Sequence, residues 1–287
     1  MSDELISIIV NLIQIVSFCF ILFMIGRRMR SRRFSRLLLF FLYGIILALL
    51  SILFWLVHDI MRPEARIPFG ANEIGEISIS LMYASLLDIR FKAAGYKNLK
   101  PATLLTIIYS LAVIALWIGW TGEWIKDILS GTAFGYMMCM SVRSLIISKA
   151  FNKIKLTVLA LGAYILIGLQ GLIFIVPENI GKVVDILCYI ILFSGIFWLL
   201  IYSVYLIRTA FRAIKGSSED QKKRVDKALA VTFAALIWAL NTMYMSAGTM
   251  YVIAYIIETV VYLILFMAIS AAEETEFPDT VKGGVSV

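Results

Sequence analysis

The sequence predicts an all-α fold, a polytopic transmembrane helical bundle of about nine spans with the N-terminus outside and the C-terminus cytoplasmic. Three observations support this prediction. The 287 residues are 61% hydrophobic and 16% charged, which is more apolar than an average soluble domain. Several apolar runs of about twenty residues are long enough to cross a bilayer as helices. Most of the 26 lysines and arginines fall in alternate short loops, as the positive-inside rule expects of cytoplasmic loops.

The predicted spans follow one another along almost the whole chain. Their approximate bounds are residues 5–25, 37–58, 73–89, 101–120, 125–147, 156–176, 183–207, 228–245 and 249–270. We expect residues 1–270 to form a single membrane-embedded domain. Residues 271–287 are then a short acidic cytoplasmic tail, which we expect to be disordered because nothing in its sequence holds it to the bundle.

The first span ends in a cluster of six arginines between Arg27 and Arg36. Such a cluster is a strong cytoplasmic anchor. It would also attract anionic lipid headgroups, by about 1 kcal/mol for each basic residue near the surface. Earlier in the same span, Ser7, Asn11 and Gln14 form a polar stripe. Hydrogen bonding to a neighbouring helix accounts for side chains of this kind.

The third span is the least hydrophobic, but we interpret it as a membrane span because a loop there would leave the following basic residues on the outer side. Its polar side chains Glu73, Glu76, Ser80 and Tyr83 are spaced 3, 4 and 3 apart and therefore share one helix face. A helix of such low apolarity should be shielded from lipid by its neighbours. We therefore expect it to be a central helix.

The fourth to eighth spans carry few ionisable groups. Lys126 begins the fifth span at the predicted outer interface, and Arg143 lies about one turn from its cytoplasmic end. We expect the Arg143 side chain to reach toward the interface, with a buried position as the alternative. Asn241 adds one polar side chain near the outer end of the eighth span.

The ninth span holds the most informative residue, Glu258, close to its middle. At 1.5 Å per helical residue the carboxyl lies roughly 15 Å from either end, near the midplane of a bilayer. An ionised carboxylate costs about 2.5–3.5 kcal/mol at that depth. Tyr251, Tyr255, Glu258 and Tyr262 are spaced 4, 3 and 4 apart and form one stripe. This face predicts a polar interior site.

No basic side chain is expected at the depth of Glu258, since Lys126 lies further outward and Arg143 further inward. Loss of solvent without a cationic partner favours the protonated carboxyl. Two interpretations follow. Glu258 is either a neutral hydrogen-bonding strut between helices or a site that exchanges protons or cations, with Glu76 as a second acid. More acids than bases also lie on the predicted outer side, which would concentrate cations there, although the topology rule tolerates acids outside.

Motifs for catalysis are absent from the sequence. It contains no nucleotide-binding loop, no zinc-hydrolase or serine-hydrolase motif and no paired cysteines, and His58 is its single histidine. Enzymatic function therefore has no support, and we expect no cofactor or bound metal. The basic residues follow the topology instead of forming a patch on a soluble domain, which argues against a nucleic-acid partner.

The intramembrane acid favours a small secondary transporter or ion-translocating protein. The alternative is a membrane-embedded sensor, or a subunit of a larger membrane complex with no catalysis of its own. The candidate pathway residues are Glu258, Tyr255, Tyr262, Tyr251, Glu76, Tyr83, Asn241 and Arg143. The expected location is the cytoplasmic membrane of a prokaryote. Expected partners are the lipid bilayer and either a second copy of the chain or an unidentified membrane or cytoplasmic protein.

Overall fold

A computed structural model describes residues 3–31, 35–61, 71–92, 100–212, 218–245 and 248–276. These described residues form nine α-helices and no β-strand. In chain order the helices are α1 (Asp3–Ser31), α2 (Arg36–Met61), α3 (Ala71–Phe91), α4 (Lys100–Thr121), α5 (Trp124–Ile147), α6 (Lys153–Ile173), α7 (Glu178–Arg212), α8 (Ser218–Met245) and α9 (Gly248–Glu276). The prediction of a helical bundle is confirmed.

Seven of the described helices, all but α3 and α5, are long and apolar enough to cross a membrane. Their outward faces are strongly apolar: Val16, Ile154 and Ile201 are each about two-thirds exposed or more. A surface of this kind is stable against lipid chains and costly in water. The chain is therefore a multi-pass integral membrane protein. The predicted orientation of its termini stays a prediction.

Several helices continue beyond the predicted apolar spans. The hydrophilic stretch before the eighth span is helical from Ser218 onward, so α8 begins with a charged, solvent-facing turn. The ninth span was predicted to end at residue 270, but α9 continues to Glu276. Ala271, Ala272 and Glu273 are buried there. The ninth helix therefore includes the first six residues of the predicted tail, and residues 277–287 lie outside the described residues.

Contacts at the helix ends fix the direction of several helices. Lys126 at the start of α5 lies beside Glu73 at the start of α3. Arg28 at the end of α1 pairs with Glu273 at the end of α9. Arg90 at the end of α3 donates to Thr275 near the end of α9. The helices α1, α3, α5 and α9 therefore run the same way through the bundle. We name its two ends after these residues, the Lys126 end and the Arg28 end.

Of the seven candidate spans, α8 is the most enclosed by its neighbours. Leu229, Phe233 and Leu236 of α8 are fully buried, and 83% of its apolar stretch lies inside the bundle. In contrast, α3 exposes Ile74 and Leu81 on one face, although its other faces pack against α2 and α5. The five alanines of α8 let neighbouring helices approach it closely.

Two glycines provide space for large aromatic rings at helix crossings. A Cβ at Gly195 of α7 would lie 2.6 Å from the indole of Trp238 on α8. A Cβ at Gly44 of α2 would overlap the Tyr83 ring of α3. These rings cannot move away without disturbing the packed helices around them. The two glycines therefore set the α7–α8 and α2–α3 distances.

We expect Gly195→Ala to lower the free energy of unfolding by about 1–3 kcal/mol, because the added methyl group overpacks the contact with Trp238. Gly168→Ala in α6 is the matched control, since nothing lies within 4 Å of its Cβ position. That change should be neutral or stabilise by up to about 1 kcal/mol. Thermal unfolding of both variants in detergent checks this. Equal Tm values for the two variants would contradict the packing argument.

Candidate functional site

The tyrosine and carboxyl stripe of α9 faces an internal cavity of about 380 Å³. Tyr251, Tyr255, Glu258 and Tyr262 all line it. Seven helices contribute to its wall, namely α1, α2, α3, α4, α5, α8 and α9. From Tyr251 to Tyr262 it follows α9 over roughly 16 Å. The polar face of the ninth helix therefore lines an interior cavity, as its periodicity predicted.

Glu258 is 5% exposed and is bound from α1 by Gln14. The Gln14 side-chain amide donates a hydrogen bond from Nε2 to Glu258 Oε2, over 3.2 Å. Among the described residues no lysine or arginine pairs with Glu258. Gln14 is itself 2% exposed, and its Oε1 accepts no hydrogen bond from the described residues.

The sequence indicated an interhelical hydrogen bond for Gln14 but did not indicate its partner. The partner could have been suggested by the distance of each residue from the start of its helix. Gln14 and Glu258 each lie about three turns from the start of their helices, and α1 and α9 start at the same end of the bundle. At 1.5 Å per residue both side chains sit roughly 15 Å deep. Equal depth makes them natural partners.

Charged side chains gather where the cavity approaches the Lys126 end. Glu76 of α3, with Lys126 and Asp127 of α5, lines the wall there. The ammonium of Lys126 lies 3.4 Å from a carboxylate oxygen of Glu73 and 3.4 Å from one of Glu123. The Lys126 side chain is 28% exposed. The basic residue of the cavity is therefore held by acids near the surface, well away from Glu258.

Aromatic side chains make up much of the remaining wall. Trp117 of α4 packs against Phe134 of α5 with ring centroids 5.9 Å apart. Phe18 of α1 meets Tyr262 edge to face at 4.9 Å. The aromatic lining residues are Phe18, Trp55, Trp117, Trp120, Phe134, Tyr251, Tyr255 and Tyr262. The cavity thus combines a few acids with an extensive aromatic surface.

Three of the eight candidate pathway residues lie outside this cavity. Tyr83 is fully buried beside it, its ring 6.2 Å from that of Tyr262. Asn241 lines a separate, mostly apolar cavity of about 270 Å³ between α4, α5, α6 and α8. Arg143 is half-buried and donates to the Thr103 hydroxyl of α4 over 3.3 Å. The other five residues, Glu258, Tyr255, Tyr262, Tyr251 and Glu76, share the cavity.

Beyond Tyr262 the bundle is tightly closed. Tyr83, Phe41, Phe266 and Phe233 pack with one another there, with ring centroids 5.9–6.3 Å apart. Tyr83, Phe41 and Phe233 are fully buried. This aromatic layer separates the cavity from the Arg28 end.

An ion-pair network joins four helices at the Arg28 end. Arg28 donates to Glu273 over 2.6 Å and to Glu274 over 3.1 Å, linking α1 to α9. Arg90 of α3 donates to Asp226 of α8 over 2.6 Å and to Thr275 of α9 over 3.1 Å. One member of the predicted lipid-binding arginine cluster is therefore engaged within the chain. The lipid-binding role of the cluster stays a prediction, and residues 32–34 lie outside the described residues.

No protein-family model, curated protein or solved structure matched this chain. Within the described residues no group of three or more histidine, cysteine, aspartate or glutamate side chains is placed to hold a metal ion. The cavity and its lining residues are therefore the features of this chain that bear on function.

We expect Asp226→Asn to destabilise the bundle, because it leaves a guanidinium that is 2% exposed without its carboxylate. The cost should be about 1–3 kcal/mol, since Arg90 keeps its contacts to Thr275 and to the Ala272 carbonyl. Glu219→Gln is a control on the same helix, because its ion pair with Lys223 is largely exposed. It should leave Tm unchanged. If both variants lower Tm by a similar amount, the Arg90–Asp226 pair contributes no more to stability than the exposed Glu219–Lys223 pair.

Proposed function

We propose that the chain is a small secondary transporter or ion-translocating protein, with Glu258 as the carboxyl that takes up and releases the transported proton or cation. The observation that carries the proposal is the position of Glu258 deep in a cavity that approaches the Lys126 end and is closed toward the Arg28 end. Ionisable groups inside a membrane bundle are costly and typically mark ion or substrate paths.

The surroundings of Glu258 suit a group that changes its state of charge. The Gln14 side-chain amide has both a donor and an acceptor. Its NH2 group can donate to the ionised Glu258 carboxylate, and after a 180° rotation of the amide its oxygen can accept from the protonated carboxyl. No permanent cation among the described residues fixes Glu258 as a carboxylate. A site that must bind and then release a positive charge needs this freedom, because a permanent ion pair would compete with the incoming ion.

The closed end supports transport by alternating access. The helices joined by Arg28 and Arg90 are α1, α3, α8 and α9, and each of them also lines the cavity. Separating these helices at the Arg28 end would open the cavity to the opposite side. The ion pairs and the aromatic layer would then be the contacts that are exchanged during each cycle.

The same cavity could receive the ligand of a sensor or of a membrane-complex subunit, and one observation favours this second function. Each of the nine described helices is continuous, whereas many transporters bind substrate at helices broken near mid-membrane. A sensor would bind its ligand and produce no flux. A prokaryotic cytoplasmic membrane remains the proposed location for either function.

Flux measurements in liposomes test the proposal. We expect wild-type protein to carry a proton or cation current down an imposed gradient. Glu258→Gln should reduce it about tenfold or more, because loss of a charge-assisted contact costs roughly 1.5–3 kcal/mol. Glu178→Gln is the control, since that carboxyl is 86% exposed at the start of α7. Its flux should equal that of wild type.

Two outcomes would overturn this assignment. Equal flux in wild type and Glu258→Gln would leave Glu258 as a structural strut. Absence of flux from wild type, with ligand binding retained, would favour the sensor. Thermal unfolding of Glu258→Gln separates either outcome from misfolding.

A further inference from the structure

The electrostatics of the cavity favour a positively charged ligand. Three acids line it, Glu76, Asp127 and Glu258, against one base, Lys126. That base lies within 4 Å of carboxylates of Glu73 and Glu123, which offset its charge. A cleft with acid-rich, low-dielectric walls concentrates cations and repels anions.

The wall chemistry distinguishes an organic cation from a metal ion. Hard metal cations require six or more oxygen ligands at fixed distances. Here eight of the lining residues are aromatic, and three of them are tryptophans, namely Trp55, Trp117 and Trp120. The faces of aromatic rings attract ammonium groups, tryptophan most strongly, with about 0.5–2 kcal/mol for each well-placed ring. Such walls also accommodate the apolar body of a ligand, which a metal ion lacks.

A buried acceptor beside Glu258 indicates which kind of ammonium group fits. The Nε2 group of Gln14 is engaged by Glu258, while its Oε1 accepts no hydrogen bond from the described residues. Ser130 Oγ, on the α5 wall, is also buried without a partner among them. An unsatisfied buried acceptor costs about 1–3 kcal/mol. A ligand with N–H donors would remove that cost, whereas a quaternary ammonium could not.

We propose that this cavity binds a small organic cation, a primary or secondary ammonium with an apolar or aromatic body. The ammonium lies between Glu258 and the Gln14 carbonyl oxygen, and the body lies against the tryptophan and tyrosine rings. A cavity of about 380 Å³ is at the small end of the roughly 300–1,000 Å³ range of small-molecule sites. The inference rests on the proposed function, because it names the substrate class of the same site.

Binding of three probes of one shape tests the inference on the full purified chain in nanodiscs. The probes are 2-phenylethylammonium, its N,N,N-trimethyl derivative and the neutral 2-phenylethanol, measured by calorimetry and by the fluorescence of the cavity tryptophans. We expect the primary ammonium to bind most tightly. The trimethyl derivative should bind about tenfold more weakly, because it cannot donate to Gln14 or Glu258. The alcohol should bind more weakly than either cation.

Two variants locate the site. Gln14→Met removes the acceptor and should weaken binding of the primary ammonium about tenfold while leaving the trimethyl derivative nearly unaffected. Gln170→Met is the control, since Gln170 is equally buried but lies on α6, outside the cavity. It should leave binding of both probes unchanged. Thermal unfolding confirms that each variant is folded.

The binding and flux results together distinguish failure of the ammonium proposal from failure of the transport proposal. Equal binding of the alcohol and the primary ammonium would overturn the inference, as would binding that Gln14→Met leaves intact. Absence of ammonium binding, together with a proton or inorganic cation flux that needs Glu258, would overturn it and leave the transport proposal standing. Ammonium binding without any flux would support the ligand class and overturn transport.

Discussion

A carboxyl group placed at mid-depth in an apolar bundle needs a partner, and much of this structure can be understood from how Glu258 finds one. The side chain is almost completely removed from solvent, so an unsatisfied oxygen there would be costly. Gln14 supplies the hydrogen bond from α1, which brings the first and last described helices together. Five further helices, α2, α3, α4, α5 and α8, complete a cavity around this pair instead of filling the space with apolar side chains.

The two ends of the bundle are built from different chemistry. Toward the Lys126 end, the wall is a mixture of acids, one lysine and tryptophans. Toward the Arg28 end, packed aromatic rings are followed by arginine–carboxylate pairs. Paired and hydrogen-bonded charges can stabilise a closed state. When the helices separate, water can hydrate the same charged side chains. This asymmetry supports the proposed transport function, in which one side of the cavity is held closed.

Local pattern was enough to predict part of this arrangement. The helical fold follows from long apolar runs, and the shared face of Tyr255, Glu258 and Tyr262 follows from helical periodicity. Pairing between helices far apart in sequence could not be predicted in this way, since Gln14 and Glu258 are 244 positions apart. Equal depth made the pair possible, but which helices are neighbours is decided by packing over the whole bundle.

Helix ends and burial depend on contacts that hydropathy does not describe. Hydropathy alone stops the ninth span at residue 270, whereas the pairing of Glu273 with Arg28 stabilises α9 beyond it. The deep burial of α8, the least apolar of the seven candidate spans, depends on the close approach that its alanines allow to neighbouring helices.

We predict that the cavity around Glu258 is accessible from the Lys126 end and closed at the Arg28 end. Ser130→Cys, in a background lacking Cys19, Cys139 and Cys188, places one thiol on the cavity wall. Glu178→Cys and Glu219→Cys, each made alone in this background, place exposed thiols at the starts of α7 and α8. The start of α7 lies at the Lys126 end, because short connections reverse the chain from α5 to α6 and from α6 to α7. The start of α8 lies at the Arg28 end, where Asp226 pairs with Arg90. A small membrane-impermeant thiol reagent should label Ser130→Cys from the side that labels Glu178→Cys and not from the other side. Labelling from the side that labels Glu219→Cys, or from neither side, would contradict this account.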